Sequence, residues 1–504
     1  MFVRKLKSKN GKTYVQVVDK SSGKYIVLKS FGGTNSEEKL NHLIRRAKSW
    51  IDLHSGMQEI DFSNSDALIE KLFDSISQMK QVGFDHLLGR IFDHIGFNKI
   101  DDELFKQLVI CRIAYPKSKL KTTQYLYRYK QIDWSEDQVY RYLDKLYTSQ
   151  KELVQQISYE HTQKTLNNDI SVVFYDVTTL YFEIDQEDDL RKTGFSKEGK
   201  HQNPQIVLGL LVSKNGYPLA YEIFEGNKFE GHTMLPVLEA FKKKYNLGQL
   251  VIVADSGLLS KTNINDLQRM GYEFILGARI KNEPHAIRKK ILKLNLGNGQ
   301  STAIKKDGLK LIVSYSDHRA KKDRYNRERG LRRLEKQIRT GRLTKSSINN
   351  RGYNKFLKLE GEITITIDKE KLAQDANWDG LKGYITNARL NKNQVIANYK
   401  HLWHIEKAFR IAKSDLKIRP VYHRLQRRIE AHICISFVAY KVYKELERQL
   451  QVMKADISPL TAIEIAENIF ELEVTLPVGG KTIRKTLLLT EEQKYLASIF
   501  DFGC

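Results

Sequence analysis

A mixed α/β fold is predicted by three features of this 504-residue chain. Between residues 170 and 280, β-branched and aromatic runs alternate with amphipathic stretches at the spacing of strands joined by helical crossovers. Residues 36–165 carry mainly helical periodicity, and residues 281–395 return to short strand-like pieces around one long basic helical run.

Taken in order, residues 1–32 alternate basic and β-forming side chains around Asn10-Gly11 and Ser21–Gly23, which predicts a small basic β-hairpin. It holds eight Lys or Arg against one Asp. Within 36–165, Ser135 and Gln138 form a capping box ahead of Val139, Leu143 and Leu146. The first sheet strand is expected in Ser171–Phe182, followed by Gln205–Ser213 and Gly216–Phe224, the last two meeting at an Asn215-Gly216 turn. A helix over Thr233–Tyr245, a strand in Leu250–Gly257, a helix over Lys261–Met270 and a strand near Tyr272–Leu276 complete this part. Residues 281–395 contain strand-like Leu309–Ser314 and Glu362–Asp368, with the basic run at 319–345. Residues 396–447 are read as two helices, the second over Arg424–Arg448, and the tail, 448–504, is less basic and more apolar.

A formal net charge of +24 and a pI near 9.5 call for a partner of opposite charge. Nucleic acid fits, because clustered Lys and Arg bind phosphates regardless of sequence. A basic membrane-surface protein would share the charge. However, no apolar stretch reaches the length of a membrane span, and MFVRKLKSKNGKTY lacks a signal peptide's apolar core. The expectation is a soluble, cytoplasmic protein. The helical region 36–165 then reads as a DNA-binding module, with plain packing the other reading. Cys111, Cys434 and Cys504 lie too far apart in sequence to suggest a disulfide framework or a zinc site.

The most informative stretch is Tyr399–Lys413, YKHLWHIEKAFRIAK. Glu406 stands seven residues from both Tyr399 and Lys413, so one continuous helix would point all three the same way. Leu402, Phe409 and Arg410 lie at three- and four-residue offsets from Glu406. Taken alone, the stripe could be a solvated face with ordinary ion pairs. Two other acids change that reading. Asp176 lies inside SVVFYDVTTLYF, where a lone carboxylate is costly without a partner. Asp255 ends the apolar run LVIVADSG, and ligands of open α/β sheets gather at such strand ends. A helix-capping or backbone-satisfying role would also account for either Asp singly.

The order Asp176, Asp255, Glu406, with the third acid inside Y-x2-L-x3-E-x6-K, resembles the DDE transposases of bacterial insertion sequences, whose signature is Y-x2-R-x3-E-x6-K. Leu402 stands where the signature has Arg. Similar strings are GFSKEGKHQNPQIVLGLLV, GYPLAYEIFEGNKFEGHT, DGLKGYITN and IRPVYHRLQRRIEAHI, and the resemblance covers roughly 170–445. It implies a ribonuclease H-like catalytic core in two parts, 170–280 and 396–447, interrupted by a β-rich insertion at 281–395. The separations agree with an insertion: 255 − 176 = 79 residues, then 406 − 255 = 151.

Three hard carboxylates on separate elements suit two Mg²⁺ ions, with Mn²⁺ able to substitute, for phosphodiester chemistry. Asp176, Asp255 and Glu406 are the expected catalytic metal ligands. Tyr399, Arg410 and Lys413, with Lys200, Arg419 and His423 in the similar strings, are expected DNA contacts. Arg329, Arg332, Arg333 and Lys336 join them, because Arg319–Lys345 holds twelve Lys or Arg against three acids. His401 and His404, at i and i+3 with no third ligand, make a poor zinc pair. The implied function is cleavage of element ends and their joining to target double-stranded DNA, with a homodimer in the synaptic complex and a bacterial, nucleoid-associated location. A similar nuclease without strand transfer and an inactive DNA-binding repressor are the alternative classes.

Overall fold

The computed structural model describes residues 1–9, 11–54, 73–196, 199–258, 260–349, 352–360, 364–475 and 481–503. Two compact units make up the chain: residues 1–78 with 472–484, and residues 79–471 with 485–504.

In the first unit, β1 (Phe2–Lys7), β2 (Thr13–Asp19) and β3 (Ile26–Thr34) form an antiparallel meander in chain order, followed by α1 (Glu37–His54). Alternation along β2 sends Val15 and Val17 toward α1, where they are buried with Ala47 and flanked by Leu40, Leu43, Ile44 and Trp50. The expected single hairpin is therefore a three-stranded sheet. Both turn signals are used, with Gly11 and Gly23 supplying φ of 79° and 78° at the two reversals. Asn10 lies outside the described residues.

The second unit begins with β4 (Ile76–Gln81), whose first residues belong to the other unit. Helices α2 (Arg90–Ile95), α3 (Glu103–Ala114), α4 (Lys119–Tyr125), α5 (Glu136–Ser149) and α6 (Lys151–Thr165) follow. The capping box at Ser135 and Gln138 opens α5, and Val139, Leu143 and Leu146 are buried behind it. Next come β5 (Val172–Tyr181), β6 (Gln205–Ser213), β7 (Pro218–Glu225), α7 (Met234–Tyr245), β8 (Val251–Ala254), α8 (Lys261–Arg269) and β9 (Glu273–Ala278). After α9 (His285–Leu292), β10 (Ser301–Lys306) and β11 (Leu309–Tyr315) lead into α10 (Asp317–Arg339). The chain continues through β12 (Leu357–Glu360), β13 (Thr364–Ile367), α11 (Lys369–Ala376), β14 (Leu381–Thr386), α12 (Lys392–Lys400), α13 (Trp403–Ser414) and α14 (Gln426–Val452).

One eight-stranded sheet organises this unit, in the order β10-β11-β14-β9-β8-β5-β6-β7. The strand β8 is parallel to both β5 and β9, and the outer pairs are antiparallel. Of the stretch 281–395, β10, β11 and β14 extend this sheet, while α10, β12, β13 and α11 form an excursion between β11 and β14.

Alternation divides the sheet's side chains between two cores. Val173, Tyr175, Ile252, Ala254, Phe274 and Leu276 pack with Val237, Leu238 and Phe241 of α7. Phe174, Leu180, Val253 and Ile275 pack on the opposite face with Ile405 and Ala408 of α13 and the apolar residues of α14. Cys111 and Cys434 are free buried thiols, and Cys504 is outside the described residues. Among the described residues, no helix is long and apolar enough to cross a membrane.

Candidate active site

The two aspartates are brought together by strand register. Tyr175 of β5 lies opposite Ala254, the last residue of β8, in the parallel pair, so Asp176 is the next residue along β5 and Asp255 the first residue past the end of β8. Period-two alternation puts Asp176 with Phe174 on the face covered by α13 and α14, while Asp255 leaves the strand just after Val253 and Ala254. The half-buried Asp176 accepts the Val177 N–H through Oδ1 at 2.8 Å. The exposed Asp255 accepts the Ser256 N–H through Oδ1 at 2.6 Å.

The third acid arrives on α13, which packs against β5. Ile405, Ala408, Phe409 and Ile411 form its buried side, and Leu402 just before it is buried too. Glu406 and Arg410 are exposed and Lys413 is half-buried, at four- and seven-residue spacing along one face. Leu402, at the position where the signature has Arg, thus serves the core.

Tyr399 departs from the expected stripe. It lies on α12, not on the helix of Glu406, because backbone bonding changes at the junction: His401 N–H bonds Asn398 C=O at 3.0 Å and Leu402 N–H bonds Tyr399 C=O at 3.1 Å. These i→i−3 bonds tighten the turn without Pro or Gly to announce it. The consequence is that Tyr399 is buried and donates its hydroxyl to Asp255 Oδ1 at 3.2 Å. Burial, then the Asp255 charge, raises the phenol's pKa, so the hydroxyl stays a donor. Gly277 of β9 makes room for it: a Cβ there would lie 2.4 Å from the Tyr399 hydroxyl oxygen.

Sequence reasoning passed over Lys382 of β14, inside the quoted string DGLKGYITN. Its half-buried ammonium sits 4.4 Å from the Tyr399 ring centroid and 5.6 Å from that of Tyr384, and the two rings meet edge to face at 4.9 Å. Burial lowers the Lys382 pKa and Arg319 lowers it further, while Asp255 and Glu406 both oppose the shift. One ammonium therefore feels two of the three acids. The available signal was a single cation in a strand, LKGYIT, that otherwise enters the core. A cavity of about 820 Å³ opens beside these groups, lined by Asp255, Arg279, Arg319, Lys382 and Tyr399 among others. Arg327 of α10, which also lines it, donates Nη2 to Asp379 Oδ2 at 2.6 Å and ties α10 to the residues preceding β14.

Other expected contacts are dispersed. Lys200 is exposed, 3.9 Å from Glu183 and 5.2 Å from the Tyr181 ring centroid. Arg419 is half-buried, and Arg329, Arg332, Arg333 and Lys336 are exposed along α10. His423 lies against Tyr140 and beside His432, with ring centroids 6.2 Å and 5.4 Å away. Burial and the nearby Lys119 hold its imidazole down to about 3, hence neutral, in a packing environment.

The ligand atoms of Asp176, Asp255 and Glu406 do not all lie within 4.8 Å of one another. Among the described residues, the one set of acids, histidines or cysteines that does is His94, His161 and Glu445. Glu445 is buried and accepts Arg448 Nη2 at 2.6 Å, Tyr217 OH at 2.6 Å and Gln449 Nε2 at 2.9 Å. With its oxygens engaged and the buried Lys441 close by, this group is a structural ion-pair network.

A family model described as Transposase DDE domain matches residues 167–441. Among solved structures, a piggyBac transposase synaptic complex with hairpin DNA is similar at 10% identity, with a TM-score of 0.36 over 77% of this chain and 78% of that one. A Mos1 transposase paired-end complex with the left transposon end gives 10% identity and a TM-score of 0.16, over 31% of this chain and 53% of that one. A Mos1 mariner paired-end complex with Mn gives 11% and 0.15, over 31% and 54%. No curated protein matches the chain.

Proposed function

The chain belongs to the transposase DDE domain family, and from that premise we propose that it binds the ends of a mobile element, cleaves them, and joins the freed 3′-hydroxyls to target DNA. The observation that supports the reading is the parallel register of β5 against β8, whose last pair, Tyr175 and Ala254, immediately precedes Asp176 and Asp255, together with Lys382, whose ammonium is acted on by both Asp255 and Glu406. The antiparallel meander β5–β7 followed by parallel β8 and β9 supports a ribonuclease H-like core, with the excursion between β11 and β14 as the inserted part.

Three carboxylates from separate elements are the hard oxygen donors that Mg²⁺ or Mn²⁺ takes, and Asp176, Asp255 and Glu406 would hold the ions. When bound, such ions activate water or a 3′-hydroxyl and stabilise the leaving phosphate oxygen. The chain's own residues do the rest. Tyr399 fixes one Asp255 oxygen, leaving the carboxylate's remaining lone pairs for a ligand. Lys382 and Arg319 place positive charge at the same cavity, where a phosphodiester would lie. Arg410 and Lys413 extend that charge along the Glu406 face. Two ends must be cut together for transposition, so a homodimer on DNA is part of the proposal.

The test is incubation of the purified chain with duplexes that carry the inverted repeats flanking its gene, in Mg²⁺, with a second plasmid as target. Strand breaks at the repeat boundary and covalent joining to the plasmid are expected. Breaks without joining would reduce the function to a nuclease. Binding with neither product would leave a DNA-binding protein.

A further inference from the structure

We propose that the open face of the β1–β2–β3 sheet is a DNA-reading surface that enters the major groove. The inference rests on the DNA reading of function but on a different unit of the chain. Cross-strand register defines the two faces. Val3 and Val17 pair on the face that α1 covers, whereas Arg4 pairs with Gln16, and Gln16 with Ser30, on the face that α1 leaves bare. A polar row therefore crosses all three strands. Arg and Gln are the side chains whose donor and acceptor geometry matches guanine and adenine edges in the major groove.

Aromatic residues flank this row. Tyr14 is exposed and its ring lies over Gly33, where an added Cβ would come within 2.6 Å of it. Tyr25, half exposed at 51%, stacks under the Arg4 guanidinium at 4.6 Å and meets Phe2 edge to face at 6.2 Å. Adjacent strands lie about 4.8 Å apart, and a major groove about 12 Å wide admits a two-stranded β-ribbon, so two of the three strands can enter with the polar row facing the bases.

Charge identifies the occupant. Arg4 lies on the face, Lys20 reaches the Tyr25 ring at 5.2 Å, and Lys9, Lys12 and Lys24 lie outside the strands near the reversals, whereas Lys5, Lys7 and Lys29 share the α1 side of Val3 and Val17. A second copy would bring the same charge against it, at a cost in like-charge repulsion, whereas duplex DNA brings the complement.

Photo-crosslinking of the full chain tests the assignment. Tyr14→p-benzoylphenylalanine and Tyr25→p-benzoylphenylalanine report the open face, and His42→p-benzoylphenylalanine reports exposed α1. The probe is a duplex pool with a 30-bp random core. Protein–DNA adducts from both tyrosine positions and none from His42 are expected, and Arg4→Gln should weaken binding to the duplexes that the wild-type chain enriches by roughly tenfold. Adducts from His42 alone, adducts between two protein copies, or no adduct from the sheet would overturn the proposal. A chain that cleaves element ends but gives no sheet adduct would overturn this inference while leaving the proposed function standing.

Discussion

Gly277→Ala isolates the contact between Tyr399 and Asp255. The added Cβ would lie 2.4 Å from the Tyr399 hydroxyl oxygen, 3.1 Å from the Ser256 nitrogen and 3.3 Å from the Ser256 Cβ. Ser256 belongs to the turn that follows Asp255, so the ring is what must give. Receding to ordinary contact requires about 1 Å, which breaks a hydrogen bond now at 3.2 Å. A hydrogen bond to a charged acceptor contributes about 1.5–3 kcal/mol. If that energy holds Asp255 in its reactive position, its loss slows cleavage by roughly 10- to 150-fold. Single-turnover cleavage of an element end at saturating Mg²⁺ and DNA measures it, with Tyr399→Phe as the companion variant. Both variants remove one interaction, so the double variant should be about as slow as the slower single. Wild-type rate for Gly277→Ala, or a double loss equal to the product of the singles, would show that the Tyr399–Asp255 bond does not hold Asp255 for cleavage.

Lys382→Met removes a cation beside Asp255 and Glu406, so the Mg²⁺ concentration for half-maximal cleavage should fall several-fold; an unchanged or higher value would show that the ammonium does not oppose metal binding. Changing Arg329, Arg332, Arg333 and Lys336 together to Gln should flatten the salt dependence of DNA binding by about 0.9 log unit per lost phosphate contact, and an unchanged slope in a folded variant would place that side of α10 away from DNA. Asp144, bonded to Arg428 Nε at 2.8 Å and Arg427 Nε at 2.9 Å, is held down to about 2 from 3.8, first by Arg428. Its folded-state pKa is depressed, so about 1–2 kcal/mol of stability is present above pH 3.8 and lost as pH falls through about 2. Urea unfolding across that window should show a drop in the wild type that is reduced in Asp144→Asn, and identical profiles would remove the ion pairs from the stability of α14 against α5.

The strands that carry the two aspartates were legible because a buried strand advertises itself: β-branched runs marked β5 and β8, and an acid within or just past each stands out against apolar neighbours. Glu406 was legible from motif spacing, although the spacing also suggested one continuous helix through Tyr399. Nothing in YKHLWHIE marks the change to i→i−3 bonding, because both sides keep helical dihedrals and no Pro or Gly intervenes. Lys382 and Gly277 were invisible for another reason. Their place beside Tyr399 comes from pairing of β14 with β9, a contact between Gly383 and Ala278 that lie 105 residues apart, 383 − 278. Local patterns record which face a residue takes on its own strand, not which strand becomes its neighbour. The same limit hid the extension of the sheet by β10, β11 and β14.

The most direct test of the central claim pairs metal binding with cleavage in Asp176→Asn, Asp255→Asn and Glu406→Gln. Each keeps side-chain shape and removes one negative charge, so folding and DNA-end binding should persist while Mn²⁺ binding, followed by paramagnetic resonance, weakens and Mg²⁺-dependent cleavage is abolished in all three. Cleavage retained by any one variant at ordinary Mg²⁺, or Mn²⁺ binding unchanged in all three, would contradict a metal site built from Asp176, Asp255 and Glu406.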